Sequence, residues 1–295
     1  MQPGWPALHA ATAHDTSARL PCTVQGHAVG SVARQHLHAL RRWSAWLRID
    51  DDAVRLECSS DDTLTACLAT INAALRTEGL IHGWRDEPCG LFDPATMRVL
   101  AQMERAAMRF WGTLTLGAHA TGYVVDATGR PAMMWVATRA DSKATDPGLF
   151  DNLVGGGVPA GQTPLHTLQR EAWEEAGLVF GSPALLRQQA APHALRLLRS
   201  VPEGLQHEML LGWDLQLQPD WEPVNQDGEV AAFALLPMPQ ALSLAASARM
   251  TVDASLVTLD FALRHGLLSD PRLAAGIAAL QAPAFAATAL GHQSR

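Results

Sequence analysis

The sequence predicts an α/β protein in two parts: a mixed sheet flanked by helices over residues 113–270, preceded by a small α/β domain over 19–112. Three observations point there. Residues 19–110 alternate between strand-like and helix-like hydrophobic patterns. Near residue 113 the texture changes to long strand-like runs broken by one glycine-rich turn and one acidic helix. A strongly amphipathic helical pattern, MTVDASLVTLDFALRHGLL (250–268), then closes the sheet region near Gly266.

Residues 1–18 are low in large hydrophobes and read as a flexible tail. After it, CTVQGHAVGSV (22–32) reads as strand, ARQHLHALRRWSAWL (33–47) as helix, DAVRLEC (52–58) as strand and DTLTACLATINAALRTEG (62–79) as helix. PATMRVLAQMERAAMRFWG (94–112) reads as a further helix closed by Gly112. In the second part AHATGYVVD (118–126) and AMMWVATRA (132–140) read as strands joined by the turn ATGRP. DNLVGGGVPAG (151–161) is a strand ending in glycines. LRLLRSV (195–201), EMLLGWDLQL (208–217) and EVAAFALLPM (229–238) supply further strands, and residues 271–295 a C-terminal helix and tail.

With 295 residues, 48% of them hydrophobic, the chain can form one large core or two modest ones. Its net charge of −7 gives no basic footprint for a nucleic-acid polymer. It leaves room for a nucleotide whose phosphates are met by metal. Cys22, Cys58, Cys67 and Cys89 show no C-x-x-C spacing, which argues against a disulfide framework or a zinc site and fits a reducing, cytoplasmic setting. The first residues lack a basic stretch followed by an apolar one, so no signal peptide is read. The late run LAAGIAALQAPAFAATALG is alanine-rich and broken by Gln281 and Pro283, so no membrane span is expected.

The acidic helix carries the chemistry. Thr163 suits an N-cap, Pro164 the first helical position and Gly177 the C-terminal stop. Glu171, Glu174 and Glu175 nevertheless lie at the end where the helix dipole disfavours anions, and Glu171 and Glu175 repel at i, i+4 by about 0.2–0.5 kcal/mol. Three carboxylates that are helical neighbours suit a hard divalent cation such as Mg²⁺, which would turn the repulsion into attraction. The glycine strand just before the helix can add a backbone carbonyl, at Gly155 or Gly156, and lets a diphosphate approach closely. A solvated acidic helix face is the bland alternative.

The full pattern G-x5-Q-x7-R-E-A-x-E-E-x-G-L goes further. Gly156, Arg170, Glu171, Ala172, Glu174, Glu175, Gly177 and Leu178 resemble the Nudix box. Six matching Gly, Arg and Glu positions arise by chance in a chain this long on the order of 10⁻⁵ of the time. The departure is Gln162, where the family usually has a glutamate that helps orient the box arginine; Gln162 can still accept a hydrogen bond from Arg170 without charge assistance. HGWRDEP (82–88), MERAAMRFWG, GAHATGYV, the run 134–157, NQDGEVAAF (225–233) and LVTLDFALRHGLL (256–268) resemble one branch of the family. In that branch, related to or fused with thiamine pyrophosphokinase, an uncharacterised α/β domain precedes the Nudix domain.

The resemblance implies a Nudix α/β/α sandwich with a mixed sheet, and a metal-dependent hydrolase that cleaves a diphosphate joined to an organic moiety and releases a monophosphate. Family members have been associated with damaged thiamine diphosphate, the wider group with 8-oxo-dGDP. By carry-over Glu174 and Glu175 hold Mg²⁺ or Mn²⁺ with the Gly155 carbonyl, Glu171 holds metal or deprotonates the attacking water, and Arg170 positions Glu171. The metals lower the pKa of the water and neutralise the departing phosphate. A further acid often comes from a later loop; Glu229 is the candidate and Asp227 its competitor. A catalytically weak diphosphate-binding or regulatory protein with the same fold is the rival reading, resting on Gln162 alone.

Other residues are weighed against plainer roles. Arg139 and Lys143 could meet the diphosphate beside the Gly156 and Gly157 backbone, or form an exposed basic loop. Arg85 and Glu87 read as a structural ion pair rather than ligand contacts. His119 reads as a packed or solvated histidine, and Trp84, Trp111 and Trp135 as mostly core. Leu256, Leu259, Phe261 and Leu263 read as a packing face. The sequence leaves the oligomeric state open. Because no Pro/Gly/Ser-rich tether separates the two parts, the first is expected to pack rigidly on the second and help shape the pocket for the organic moiety.

Overall fold

A computed structural model describes residues 5–58 and 61–282. Helix α1 (Pro6–Ala11) occupies the stretch expected to be a flexible tail. Ala7 and Ala11 are buried, and Trp5 and Leu8 join the core beneath the late helices. Half of these residues are alanines, a weak hydrophobic signal in sequence.

The next segment is a hairpin rather than one strand. Strands β1 (Arg19–Val24) and β2 (His27–Ala33) pair antiparallel around Gln25-Gly26, both at positive φ (48° and 83°). That is the backbone a two-residue hairpin turn needs. The helix expected over 33–47 breaks into short helical turns around α2 (Leu37–Leu40) before β3 (Leu47–Ile49). Leu37, Leu40, Trp43 and Trp46 recur every third residue, the period of a 3₁₀ helix rather than an α-helix, and all four face the first core. Strand β4 (Val54–Leu56) pairs parallel with β1 and antiparallel with β3. Helix α3 (Asp61–Thr77) matches its expectation.

The helix read over 94–112 survives only in its last third. Strands β5 (Pro88–Phe92) and β6 (Val99–Glu104) form a ribbon, followed by α4 (Arg105–Trp111). Asp93 organises the turn between the strands, accepting from the Ala95 amide at 3.0 Å and the Thr96 hydroxyl at 2.7 Å. Glu104 starts the helix at 105: its carboxylate accepts from the amides of Ala106, Arg85 and Glu87 at 3.3, 2.9 and 3.0 Å. Gly112 ends it in the left-handed conformation, as expected.

The second part is an eight-stranded mixed sheet between helical layers. In chain order its elements are β7 (Leu114–Val125), β8 (Pro131–Arg139), β9 (Phe150–Asp151), β10 (Val154–Gly157), α5 (Pro164–Ala176), β11 (Leu185–Gln188), β12 (His193–Val201), β13 (Gly204–Leu217), β14 (Val230–Pro237), α6 (Met238–Ala245), α7 (Val252–Arg264) and α8 (Pro271–Leu280). The main strand order is β11-β13-β7-β8-β14, with β10 on β7, β12 on β13 and β9 on β8. Only β7 and β13 run parallel within it.

Alternation along β7 sets the layers. Leu114, Leu116, Ala118 and Ala120 share a core with Leu168, Ala172 and Ala176 of α5. Tyr123, with Met134 and Val136 of β8, packs against α1, α6, α7 and α8 on the other side. The α/β/α sandwich follows. In α7, Leu256, Leu259 and Phe261 are fully buried, as the packing-face reading expected. Residues 283–295, read as tail, lie outside the described residues. Among the described residues no helix is long and apolar enough to cross a membrane.

The two parts touch without a gap. Phe92 and Met97 of the ribbon belong to the core of the large sheet, and the Ala160 amide donates to the Pro88 carbonyl at 2.8 Å. Arg109 of α4 pairs with Glu203 at 3.1 Å. This junction lies beside the glycine end of β10, where the cleft opens.

Candidate active site

Three successive glycines form the wall of the site. Gly155, Gly156 and Gly157 of β10 lie opposite His119, Ala118 and Gly117 of β7. Helix α5 is aimed at them by its start signals: the Thr163 hydroxyl caps the His166 amide at 3.2 Å, Pro164 opens the first turn, and Gly177 closes the helix at φ 66°. Each glycine meets a different functional group. The Gly155 amide donates to Glu175 Oε2 at 2.8 Å. At Gly156 a Cβ would collide with the Glu171 carboxyl group, and at Gly157 with the Arg105 guanidinium. The run is glycine because two side chains are laid across bare backbone.

Arg170 answers much of the expected repulsion in the acidic helix. It donates to Glu171 Oε1 at 2.6 Å through one terminal nitrogen and to Glu174 Oε2 through the other. Glu175 is 5% exposed and its carboxyl is pushed well above the usual carboxylate range, first by burial, with Glu171 and Asp151 adding to it. Burial also raises Glu171, partly offset by Arg170. Among the described residues no three His, Cys, Asp or Glu side chains stand together in a metal-holding arrangement. In this arrangement Arg170 binds two of the three carboxylates, and Glu175 accepts from the Gly155 amide. The donor chemistry still fits a hard divalent cation. All three groups are carboxylates, and the crowded burial that raises Glu171 and Glu175 is what a cation would relieve.

A cleft of about 640 Å³ opens over this wall. From the second part it is lined by Gly155, Gly156, Gly157, Arg170, Glu171 and Glu174, and by Arg139, Lys143, Asp227 and Glu229. Glu175 lies below, in a smaller pocket with Gly155, Lys143 and Glu229. The fold thus gathers the residues singled out in the sequence into one place, but not with free side chains. Arg139 binds Asp151 at 2.8 Å and the Thr145 and Asp146 carbonyls, and so orders its own loop. Lys143 is paired with Glu229.

Two pairings differ from expectation. Glu87 pairs with Arg105 at 3.0 Å, not with Arg85, because α4 turns Arg105 back toward the 82–88 loop. Gln162 accepts from the Thr167 hydroxyl at 3.0 Å rather than from Arg170, whose buried Nε has no partner.

The first part lines the same cleft, through His82, Arg85, Glu87, Arg105 and Arg109. In the sequence Arg105 reads only as part of a helix. Gln206, Glu208 and Asp253 were missed as well. Gln206 is 5% exposed, and its amide nitrogen donates to Glu208 at 2.8 Å and to Asp253 at 3.2 Å. Burial, then Glu208, lifts the Asp253 carboxyl to about 7. The available signal was polar residues inside apolar strand and helix patterns, which spacing alone does not connect across about 45 residues of chain.

A family model described as "NUDIX domain" matches residues 115–255, and one described as "Domain of unknown function (DUF4743)" matches residues 7–115. Residues 115–255 form a Nudix domain. Nudix hydrolase 20, chloroplastic, of Arabidopsis thaliana is 34% identical over 69% of this chain and 54% of its own length. Nudix hydrolase 24, chloroplastic, of the same plant is 32% identical over 69% and 55%. The chain therefore spans about half the length of the curated relatives it matches. Nudix hydrolases generally use divalent metal ions, in keeping with the donor chemistry of α5.

Gln162→Glu is expected to give the Nudix domain's Arg170 a charged partner for its orphaned Nε. A glutamate that turns from Thr167 to this arginine would add a hydrogen bond between charged groups, which contributes about 1.5–3 kcal/mol, so turnover should rise several-fold. Steady-state kinetics check it; unchanged kcat and KM mean that Glu171 and Glu174 already fix the arginine.

Proposed function

We propose that the protein hydrolyses a diphosphate joined to an organic moiety and releases a monophosphate, with Mg²⁺ or Mn²⁺ held by Glu171, Glu174 and Glu175 and the Gly155 carbonyl. The observation that carries this reading is the Glu171 carboxyl group resting on the bare Gly156 backbone at the mouth of the cleft. Thiamine diphosphate, its oxidised derivatives and a damaged nucleoside diphosphate such as 8-oxo-dGDP are the proposed substrates, in line with the thiamine-pyrophosphokinase-related branch. The setting is proposed to be cytoplasmic.

The chain's own residues divide the work. Arg170 holds the Glu171 carboxylate against the glycine strand. Glu171, whose proton affinity burial has raised, takes a proton from the attacking water. The diphosphate enters the cleft beside Glu171 and Arg105, which cover Gly156 and Gly157. Arg105, held by Glu87, forms the wall contributed by the first part, so the organic moiety meets both halves of the chain. A bound divalent cation supplies charge neutralisation and a more acidic water.

A phosphate-release screen tests the proposal. It covers thiamine diphosphate, its oxidised analogues, 8-oxo-dGDP, ADP-ribose and dinucleotides, with Mg²⁺, Mn²⁺ and chelator. Cation-dependent release from at least one of them is expected. Tight binding without turnover across the whole panel supports the rival reading of a diphosphate-binding regulatory protein, which the Arg170 contacts to Glu171 and Glu174 and the neutral Gln162 favour.

A further inference from the structure

The geometry assigns His119 a place in the site: we infer that its Nδ1 donates a hydrogen bond to a phosphoryl oxygen held beside Gly155 in the cleft. The inference rests on reading the cleft as a diphosphate site and adds a residue from outside the acidic helix.

His119 sits in the middle of β7, opposite Gly155 on one side and Gly212 on the other. It lines the cleft, yet it is only 7% exposed. Its Nδ1 is buried and has no hydrogen-bond partner. A buried polar atom left unpaired costs about 1–3 kcal/mol, so such atoms call for a ligand, water or ion. The ring is wedged over bare backbone at both ends. A Cβ at Gly155 would lie 3.1 Å from Nδ1, and a Cβ at Gly117 would lie 3.2 Å from Nε2 and 2.7 Å from Glu208 Oε1. Nδ1 therefore faces the first glycine of the β10 wall, while Nε2 lies against Gly117.

The surrounding charges say what kind of ligand belongs there. A diphosphate offers acceptors and needs donors. Arg105, Arg109, Arg139, Lys143 and Arg170 line the cleft together with Arg85, and each of those five already faces a carboxylate. Asp151 Oδ1 lies 3.7 Å from the Cβ position of Gly155, on the same face, and contributes another acceptor. In the Nδ1–H tautomer His119 offers an uncommitted donor beside Gly155, in the cleft that the diphosphate enters.

The two ring nitrogens allow a test by shape. The carboxamide of His119→Asn places its nitrogen near Nδ1, that of His119→Gln near Nε2, and His119→Leu removes both. Binding of imidodiphosphate, a non-hydrolysable diphosphate, is measured by calorimetry in Mg²⁺ buffer, with kcat and KM on the best substrate from the screen. The Gln and Leu variants should weaken binding about tenfold, the value of one good hydrogen bond, while Asn stays within about threefold of wild type. Should Leu fail to fold, the Asn–Gln contrast decides, since both are polar and thermal melting reports their folding. Wild-type affinity in the Gln variant, or an Asn variant as weak as Gln, overturns the assignment. If wild type neither binds imidodiphosphate nor cleaves any diphosphate, the reading of the cleft fails and this assignment falls with it.

Discussion

Glu175→Gln is expected to lower kcat at least about 10²-fold while leaving the fold intact, a loss of roughly 2.7 kcal/mol of transition-state stabilisation. The amide oxygen of Gln can still accept the Gly155 N–H, so the helix stays docked on β10. What disappears is one charge of the proposed cation site. Stability should move the other way. The folded protein holds the Glu175 proton more tightly than the unfolded chain, because burial raises this carboxyl. Its ionisation therefore costs nothing below the unfolded value of about 4.3 and progressively more as pH rises through the folded value. In chelator the Gln variant should melt higher than wild type, and the gap should widen as pH rises above that point. Added Mg²⁺ should raise the melting temperature of wild type more than that of the variant. Near-normal turnover in a folded variant removes Glu175 from the site. A metal-free melting temperature below wild type points instead to a structural role for the charge.

Gly156→Ala should be as damaging to turnover by a purely steric route. The added methyl needs the space held by the Glu171 carboxyl group, and Glu171 is the partner that can move. It would swing off the glycine strand and loosen its bond to Arg170. Misplacing a reacting group by about 1 Å can cost about 10²-fold, so kcat should fall by at least that much. The backbone keeps its pairing with Ala118, so the melting temperature should shift by only a few degrees. Single-turnover rates and thermal melting separate the two effects. A variant with wild-type rates shows that the Gly156–Glu171 contact plays no part in the reaction.

The acidic helix was legible because every device that starts, stops and aims it is local: Thr163, Pro164, Gly177 and the glycines before it. The apolar stretches of β7, β8 and β13 were legible for the same reason, over 118–125, 132–139 and 208–217, while residues 114–117 and 204–207 were not read as strand. Residues 33–47 and 94–104 misled because their apolar residues satisfy a helical pattern while tertiary context selects another backbone. Three-residue spacing from Leu37 to Trp46 and the Asp93-centred turn decide those segments. The partners of the site residues were not legible at all. Arg105 with Glu87, Gln162 with Thr167, and His119 beside Gly155 depend on how α4, α5, β7 and β10 converge. His119 in particular reads as an ordinary strand histidine until the bare glycines on either side of its ring are seen.

The most direct measurement is ³¹P NMR of the products formed in ¹⁸O-labelled water, using the best substrate from the screen, wild type and Glu171→Gln, each with Mg²⁺ and with chelator. The account predicts that wild type in Mg²⁺ places one ¹⁸O in one product phosphate, and that chelator or the Glu171→Gln change reduces that signal by at least about 10²-fold. Equal label incorporation in chelator, or wild-type rates from Glu171→Gln, would contradict it and place the chemistry away from the helix that faces the glycine strand.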